Sequence, residues 1–331
     1  MKSTSVLISH WRNWRWLPIA VWNLKNYGFS GIPFEIIVAD NSPGHPSIKS
    51  LTETQLGDGV KIVQGDPELP SHGQGYSLCY EKSEGSHIFT VETDSFPIRH
   101  GWFEPYIKAS ADHDYIGPHM ALAGGVFIHP CGALCSREVV EAAKGWQNMH
   151  KEWSFMPSAA IDLGTSDRPY HVIAHQSFLN DKGLSDQRKK EQEIWRRSGP
   201  WQEMRSFDDD SFDSYWQRKG IAHWEMQPGK LAYKRIGYEP GQWLSYFAKS
   251  NGFRCLSAEH TVEWIPGWTN RQAAQSTVFG GFRHVWCGTS AFCDGIDPVV
   301  RAFKTQQMSN CWLTLPEELR KHIEKLEAEN P

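Results

Sequence analysis

Four short apolar runs recur through the first third of the chain, each but the last followed by a segment with helical spacing. The first, "TSVLIS", is strand-length and carries β-branched residues. After a polar and aromatic loop, "LPIAVWNLKNYG" places Leu17, Ala20, Val21 and Leu24 on one helical face, with Pro18 suited to the first turn and Gly28 to the C-terminal cap. "FEIIVAD" predicts a second buried strand, and "SPGHPSIKSLTETQ" a loop leading into a helix. "VKIVQGD" predicts a third strand, and "SHGQGYSLCYEKSEG" a glycine-spaced turn feeding a helix that ends at Gly85. "HIFTV" is the fourth strand. Strands alternating with helices predict right-handed crossovers and a mainly parallel sheet covered on both faces.

From about residue 114 the pattern is less regular. "GGVFIHPCGALCSREVVEAAKG" predicts a glycine-flanked strand, a turn, and a helix capped by Ser136 and stopped at Gly145. Residues 186–213 are densely charged, basic first and acidic after, as in an exposed excursion over a site. "GQWLSYFAKSNGF" predicts a helix with a glycine stop. The last segment, "TLPEELRKHIEKLEAENP", predicts an amphipathic helix with a Thr314/Glu317 capping box and Leu319, Ile323 and Leu326 on one face. There is no internal repeat and no obvious linker, which favours one catalytic domain with a C-terminal extension.

In parallel sheets, ligands gather off the carboxyl ends of the strands. Polar groups stand at three such ends: Ser9 and the loop "SHWRN" after the first strand, Asp40-Asn41-Ser42 after the second, and Glu92-Thr93-Asp94 after the fourth. Two acids two residues apart share a face of an extended chain and repel, so a cation or a donor between them would explain the pair. Singly, Asp40 also suits a turn cap, and Glu92 and Asp94 a solvated strand end. In one register, they favour a site.

Composition narrows the options. The 331 residues are 40% hydrophobic, enough for a sizeable core, and the net charge of −4 gives no bulk reason to bind a polyanion. Seven cysteines with no CxxC pair argue against a disulfide framework or a zinc knuckle, and Cys131 and Cys135 suit ordinary buried thiols better than metal ligands. Sixteen tryptophans fit a large core or flat surfaces for stacking sugars and bases. No leader-like apolar stretch opens the sequence and none reaches the ~18 residues of a membrane span, so the expectation is a soluble, cytoplasmic protein without membrane insertion.

These residues together resemble the nucleotide-sugar-dependent glycosyltransferases of the GT-A fold, especially the family 2-like group. The similarity rests on the opening strand, Asp40 closing the second strand, the glycine-bearing "HGQGYS", and the apolar strand ending in acid-x-acid. It covers roughly residues 4–145 in order and 230–290 more loosely. It implies an α/β GT-A architecture, Rossmann-like, with a mainly parallel central sheet flanked by helices and a C-terminal helical extension. Residues 1–290 would form the transferase domain, with a nucleotide-sugar-binding half (1–110) and an acceptor-binding half (111–290), and 291–331 the extension.

The resemblance also implies roles. Asp94 would hold a divalent cation bridging the donor's phosphates; Glu92 stands where the family usually has aspartate, and could hold the metal, reach the ribose or bind a metal-bound water. Hard oxygen ligands suit Mg2+ or Mn2+, and an imidazole tilts the choice toward Mn2+. His284 in "FRHVWCGTSAF" is the candidate third ligand or a core histidine, with His260 and His223 lesser candidates. Asp40 would face the nucleobase, in a pattern that favours UDP-sugars. Trp11 could stack on the base or sit in the core, and Gly73 and Gly75 would let the backbone approach the donor or simply serve a turn. An inverting transfer needs a base for the acceptor hydroxyl: Glu239, with Asp162 the substitute. The implied enzyme is a hexosyl- or pentosyltransferase acting on a glycan, a small molecule or DNA with hydroxymethylated bases. A nucleotidyltransferase would want glycine in the loop "SHWRNWRW", which has none. A non-catalytic carbohydrate- or nucleic-acid-binding module could use Trp195 and Trp201 among the arginines of the charged run.

Overall fold

The computed structural model describes residues 2–10, 15–65, 72–122, 125–142, 159–162, 171–174, 244–245, 248, 251–258, 260–265, 274–285 and 297–329. In chain order the elements are β1 (Thr4–His10), α1 (Trp16–Tyr27), β2 (Phe34–Asp40), α2 (Pro46–Thr52), β3 (Val60–Gln64), α3 (His72–Glu81), β4 (His87–Glu92), β5 (Ser95–Pro97), α4 (Glu104–Ala109) and β6 (Tyr115–Leu122). There follow β7 (Gly125–Ile128), β8 (Ala133–Ser136), α5 (Arg137–Ala142), β9 (Ala159–Asp162), β10 (His171–Ala174), β11 (Cys255–Ala258), β12 (His260–Trp264), β13 (Ala274–Val278), β14 (Phe282–His284), α6 (Pro298–Trp312) and α7 (Glu317–Glu329). The chain divides into two units: residues 1–118, 130–137 and 256–331, and residues 119–129 and 138–255.

The first unit is a mixed α/β structure with a parallel heart. Its main sheet runs β11-β6-β8-β4-β1-β2-β3. β4, β1, β2 and β3 are parallel, as their alternation with helices requires. β8 and β6 extend the sheet antiparallel. All seven residues of β1 are buried, the mark of a central strand covered on both faces. Val6 and Ile8 face the cluster that holds Leu17, Ala20, Val21 and Leu24 of α1. Cys79 of α3 reaches the Ile8 and Ile37 carbonyls. Gly28 ends α1 with φ 60°, donating its N–H to Leu24 O. A second sheet, β12-β13-β14-β5, is wholly antiparallel.

Trp16, Trp102 and Trp312 are buried, and Trp22 packs partly buried against the same core. Trp102 packs edge to face on Phe29 and Phe89 beside Phe103, Tyr106 and Phe282. Its indole N–H donates to Gly28 O at 2.6 Å. At the C-terminal end, α6 and α7 place Met308, Trp312, Leu315, Leu319 and Ile323 in the same apolar cluster as α1. Arg15 grips Glu327 through Nε and Nη2 at 3.1 and 2.8 Å while lying 4.4 Å over the Trp312 ring. Leu319, Ile323 and Leu326 are the buried stripe of α7. The capping box is not formed: the Thr314 hydroxyl turns back and donates to Cys311 O, closing α6 instead of opening α7.

In the second unit, β6 from His119 pairs antiparallel with β7, and β9 pairs antiparallel with β10. Cys131 and Cys135 of the first unit are buried and belong to no disulfide among the described residues. Among the described residues, no helix is long and apolar enough to cross a membrane.

Candidate metal and nucleotide site

Parallel register decides which side chains meet. Ser9 lies opposite Glu92 and His10 opposite Asp40, so the carboxyl ends of β1, β2 and β4 deliver Ser9, His10, Asp40 and Glu92 to one edge of the sheet. The chain then turns at Thr93 and Asp94, both buried, into β5. The acids are therefore not the solvated end of a strand.

β5 pairs with β14, Ser95 opposite His284, and Val285 N–H donates to Asp94 O at 3.0 Å. This ladder brings a histidine from far down the chain against the acid pair. His284 is 3% exposed, and its Nε2 lies 3.1 Å from Glu92 Oε2 and 3.6 Å from Asp94 Oδ1. One ligand atom from each of Glu92, Asp94 and His284 falls within 4.8 Å of the others. Two carboxylates and an imidazole converging with little exposure to solvent fit a divalent cation of the Mg2+ or Mn2+ kind, which would also relieve the repulsion between the acids.

Asp40 is buried. Its Oδ1 accepts from Ser42 N–H at 2.8 Å, and its carbonyl accepts from Gly65 N–H and the Gln64 amide. The side chain thus closes a turn of its own while standing at the strand edge. Beside it is a residue that no motif marked: His10, fully buried, with Nδ1 3.6 Å from Asp40 Oδ1 and its ring 5.5 Å from that of His45. Neither ring nitrogen of His10 has a hydrogen-bond partner among the described residues. Burial pushes the His10 pKa below the ordinary imidazole value, against the opposing pull of Asp40, so the ring is held neutral. The legible signal was its place, last in an apolar strand and in register with Asp40.

Ser9 and Gly75 meet directly. Gly75 lies within α3, where a Cβ would fall 2.2 Å from Ser9 Oγ, so glycine there lets the helix seat on β1. Gly73 is also helical, its carbonyl accepting from Ser77 Oγ. The expected glycine turn is the first part of the helix itself. His260 is not brought to the acid pair among the described contacts; its Nδ1 sits 3.4 Å from Ala258 O. Asp162 ends β9 in the second unit. Trp11, Glu239, His223, Gly145, Trp195, Trp201 and the charged run 186–213 lie outside the described residues.

No known family profile matches the chain, and no curated protein matches it. Among solved structures, Staphylococcus aureus TarS 1-349 in complex with UDP-GlcNAc is similar at 12% identity and a TM-score of 0.36, over 43% of this chain and 47% of that one. In that match the chain spans about half of its relative. The mannosyltransferase PcManGT from Pyrobaculum calidifontis, in complex with GDP-Man and Mn2+, is similar at 10% identity and a TM-score of 0.35, over 74% and 84% of the two chains. Glucosyl-3-phosphoglycerate synthase from Mycobacterium tuberculosis, in complex with phosphoglyceric acid, gives 15% identity and a TM-score of 0.34 over 44% and 61%. At such TM-scores the likeness is slight, and function has to be read from the geometry of the site.

Proposed function

We propose that this chain is a metal-dependent glycosyltransferase that moves a sugar from a nucleoside diphosphate sugar, UDP-linked by preference, to an acceptor hydroxyl. The supporting observation is the convergence of Glu92, Asp94 and His284 at the carboxyl end of a parallel strand, one edge away from Asp40. Glu92, Asp94 and His284 would hold Mn2+ or Mg2+. When bound, such a cation neutralises the charge that a departing diphosphate develops.

The chain's own residues supply the rest. Asp40 has its Oδ1 pinned by Ser42 N–H, which leaves the carboxylate oriented to accept an imide N–H from a uracil-like edge. Ser9, packed against Gly75, stands in register with Glu92 and one residue before the rung that pairs His10 with Asp40. His284 is held by the β5–β14 ladder, so its imidazole is positioned before any ligand arrives. By the resemblance, proton abstraction from the acceptor, and with it an inverting outcome, would fall to Glu239, with Asp162 as the substitute.

Thermal melting of the full chain with UDP, GDP, TDP and CMP, each with and without Mn2+, tests this reading. UDP with Mn2+ should raise the melting temperature, and ligand at about a hundred times its Kd should add roughly 2.7 kcal/mol. Asp94→Asn should abolish the metal-dependent part of the shift without lowering the melting temperature of the unliganded protein. Absence of any metal-dependent shift with all four nucleotides would remove the proposal.

A further inference from the structure

A thiol also reaches the histidine that serves the acid pair. Cys131, 1% exposed, lies in the turn that leads into β8. Gly132 N–H donates to Thr90 O at 2.9 Å, and Ala133 stands opposite Thr90 in the ladder of β8 with β4. Cys131 therefore flanks the carboxyl end of the strand that carries Glu92. Two further contacts hold this turn. Tyr106 donates its hydroxyl to Gly132 O at 2.7 Å, and Gly132, at φ 91°, packs so closely that a Cβ there would fall 2.6 Å from the Phe282 ring. Phe282 opens β14 and His284 closes it, so the turn is seated on the strand that delivers the imidazole. Cys131 Sγ and a ring nitrogen of His284 lie within 4.8 Å of each other. Both residues, like Glu92 and Asp94, belong to the first unit.

Hard and soft donors select different ions. The carboxylate oxygens of Glu92 and Asp94 suit Mg2+ or Mn2+, whereas a thiolate paired with an imidazole suits Zn2+ and its thiophilic relatives. Zinc bonds to sulfur and nitrogen of ~2.3 and ~2.05 Å put two donors of one tetrahedral ion about 3.5 Å apart, so Cys131 and His284 need to close by at most about 1.3 Å. Burial of the thiol is no obstacle, because a metal ligand needs reach rather than a solvent-facing surface. The adjoining acids, with side chains 13% and 10% exposed, leave a way in.

His284 cannot serve both sets of donors at once. A neutral imidazole has a single nitrogen lone pair, its other nitrogen carrying the proton. We propose that Cys131 and His284 form a second, soft-cation site, for Zn2+ or a thiophilic ion like it, which competes with the Glu92–Asp94 site for the one imidazole. Loading replaces the Cys131 S–H bond by a sulfur–metal bond and releases that proton to solvent, and the remaining tetrahedral positions fall to water or to one of the acids. Zinc loading thus withdraws His284 from the hard cation. This last consequence rests on the metal-dependent reading above; the thiol site itself does not.

Cobalt(II) titration of the full chain, reduced and without nucleotide, tests the site, since Co2+ takes the same donors and reports a bound thiolate by a charge-transfer band in the near ultraviolet. The band should appear saturably in the wild type and in Asp94→Asn, be lost in Cys131→Ser, and persist in Cys135→Ser and Cys287→Ser. Zn2+ should displace Mn2+ from the wild type, followed by electron paramagnetic resonance of free Mn2+, and Cys131→Ser should raise the Zn2+ concentration required by at least about tenfold. Melting curves establish that each variant is folded, and Cys131→Ala replaces a serine variant that is not. Three results would overturn the proposal: no saturable thiolate band in the wild type; a band that survives Cys131→Ser and vanishes in Cys287→Ser or Cys135→Ser; or Zn2+ that displaces Mn2+ equally well with and without the thiol. A thiolate band in a chain that shows no metal-dependent response to any nucleotide would keep this site while removing the transferase reading.

Discussion

His284 and His10 are both buried histidines beside carboxylates, yet they do different work. His284 sits between two acids at distances that leave room for a cation to draw the three together. Removing it takes away one of three ligands, so His284→Ala should weaken Mn2+ binding, followed by electron paramagnetic resonance of free Mn2+, by at least the ~10–100-fold seen when an outer partner is lost. Unchanged affinity would place the cation elsewhere. His10 has a single acid and a depressed pKa. The unfolded chain restores the ordinary value of 6.5, so the unfolded state takes up protons first on acidification. Stability tied to His10 is therefore complete above pH 6.5 and lost as pH falls through 6.5 toward the depressed folded value. Melting temperature against pH should fall more steeply from pH 7 to 5 in the wild type than in His10→Asn; parallel curves would refute it. Asp40, Glu92 and Asp94 were legible because each closes an apolar run, a pattern visible along one dimension. His10 was legible only by its place at the end of an apolar strand, since its ring contact with His45 is announced by no local spacing.

At the scale of elements, glycine was visible but its purpose was not. "HGQGYS" reads as a turn because two glycines usually lower helix stability. Contact overrides propensity here: α3 lies so close on β1 that any side chain at Gly75 strikes Ser9. Gly75→Ala should accordingly destabilise the protein by about 1–3 kcal/mol despite the better helix propensity of alanine, measured by urea unfolding; a gain in stability would show that the helix can lift at no cost. Thr314 teaches the same lesson in reverse. Its spacing to Glu317 matches a capping box, but the hydroxyl donates back to Cys311 O in the preceding helix, and α7 begins only at Glu317, three residues past Thr314. The α7 stripe was legible in full, whereas on α1 the spacing marked Leu17, Ala20, Val21 and Leu24 but not Trp16, Pro18, Ile19 and Asn23, which are buried too because the helix is covered on more than one side.

Across the whole molecule, the parallel order of β4, β1, β2 and β3 followed from alternation along the chain, whereas the antiparallel sheet that seats His284 did not. Its strands are short and pair across a long separation, β5 with β14, so neither carries a signal of the other. The C-terminal helices are built into the core that carries the site. Trp312 is almost fully buried, lies under Arg15 and donates its indole N–H to Glu324, tying α6, α7 and the start of α1 together. Trp312→Ala should cost about 3–5 kcal/mol, read from urea unfolding, and should lower the melting temperature of the first unit as a whole. A loss confined to the last two helices would mean that they fold as a separate body.

The rung between Ser95 and His284 also sets a date of birth for the ion-holding constellation. A polypeptide emerging from the ribosome as far as Pro97 already possesses both acids, yet lacks the imidazole opposite them. The full ligand set exists only after the distant hairpin has been synthesised and docked, so an unfinished chain offers a cation two mutually repelling carboxylates and no third donor.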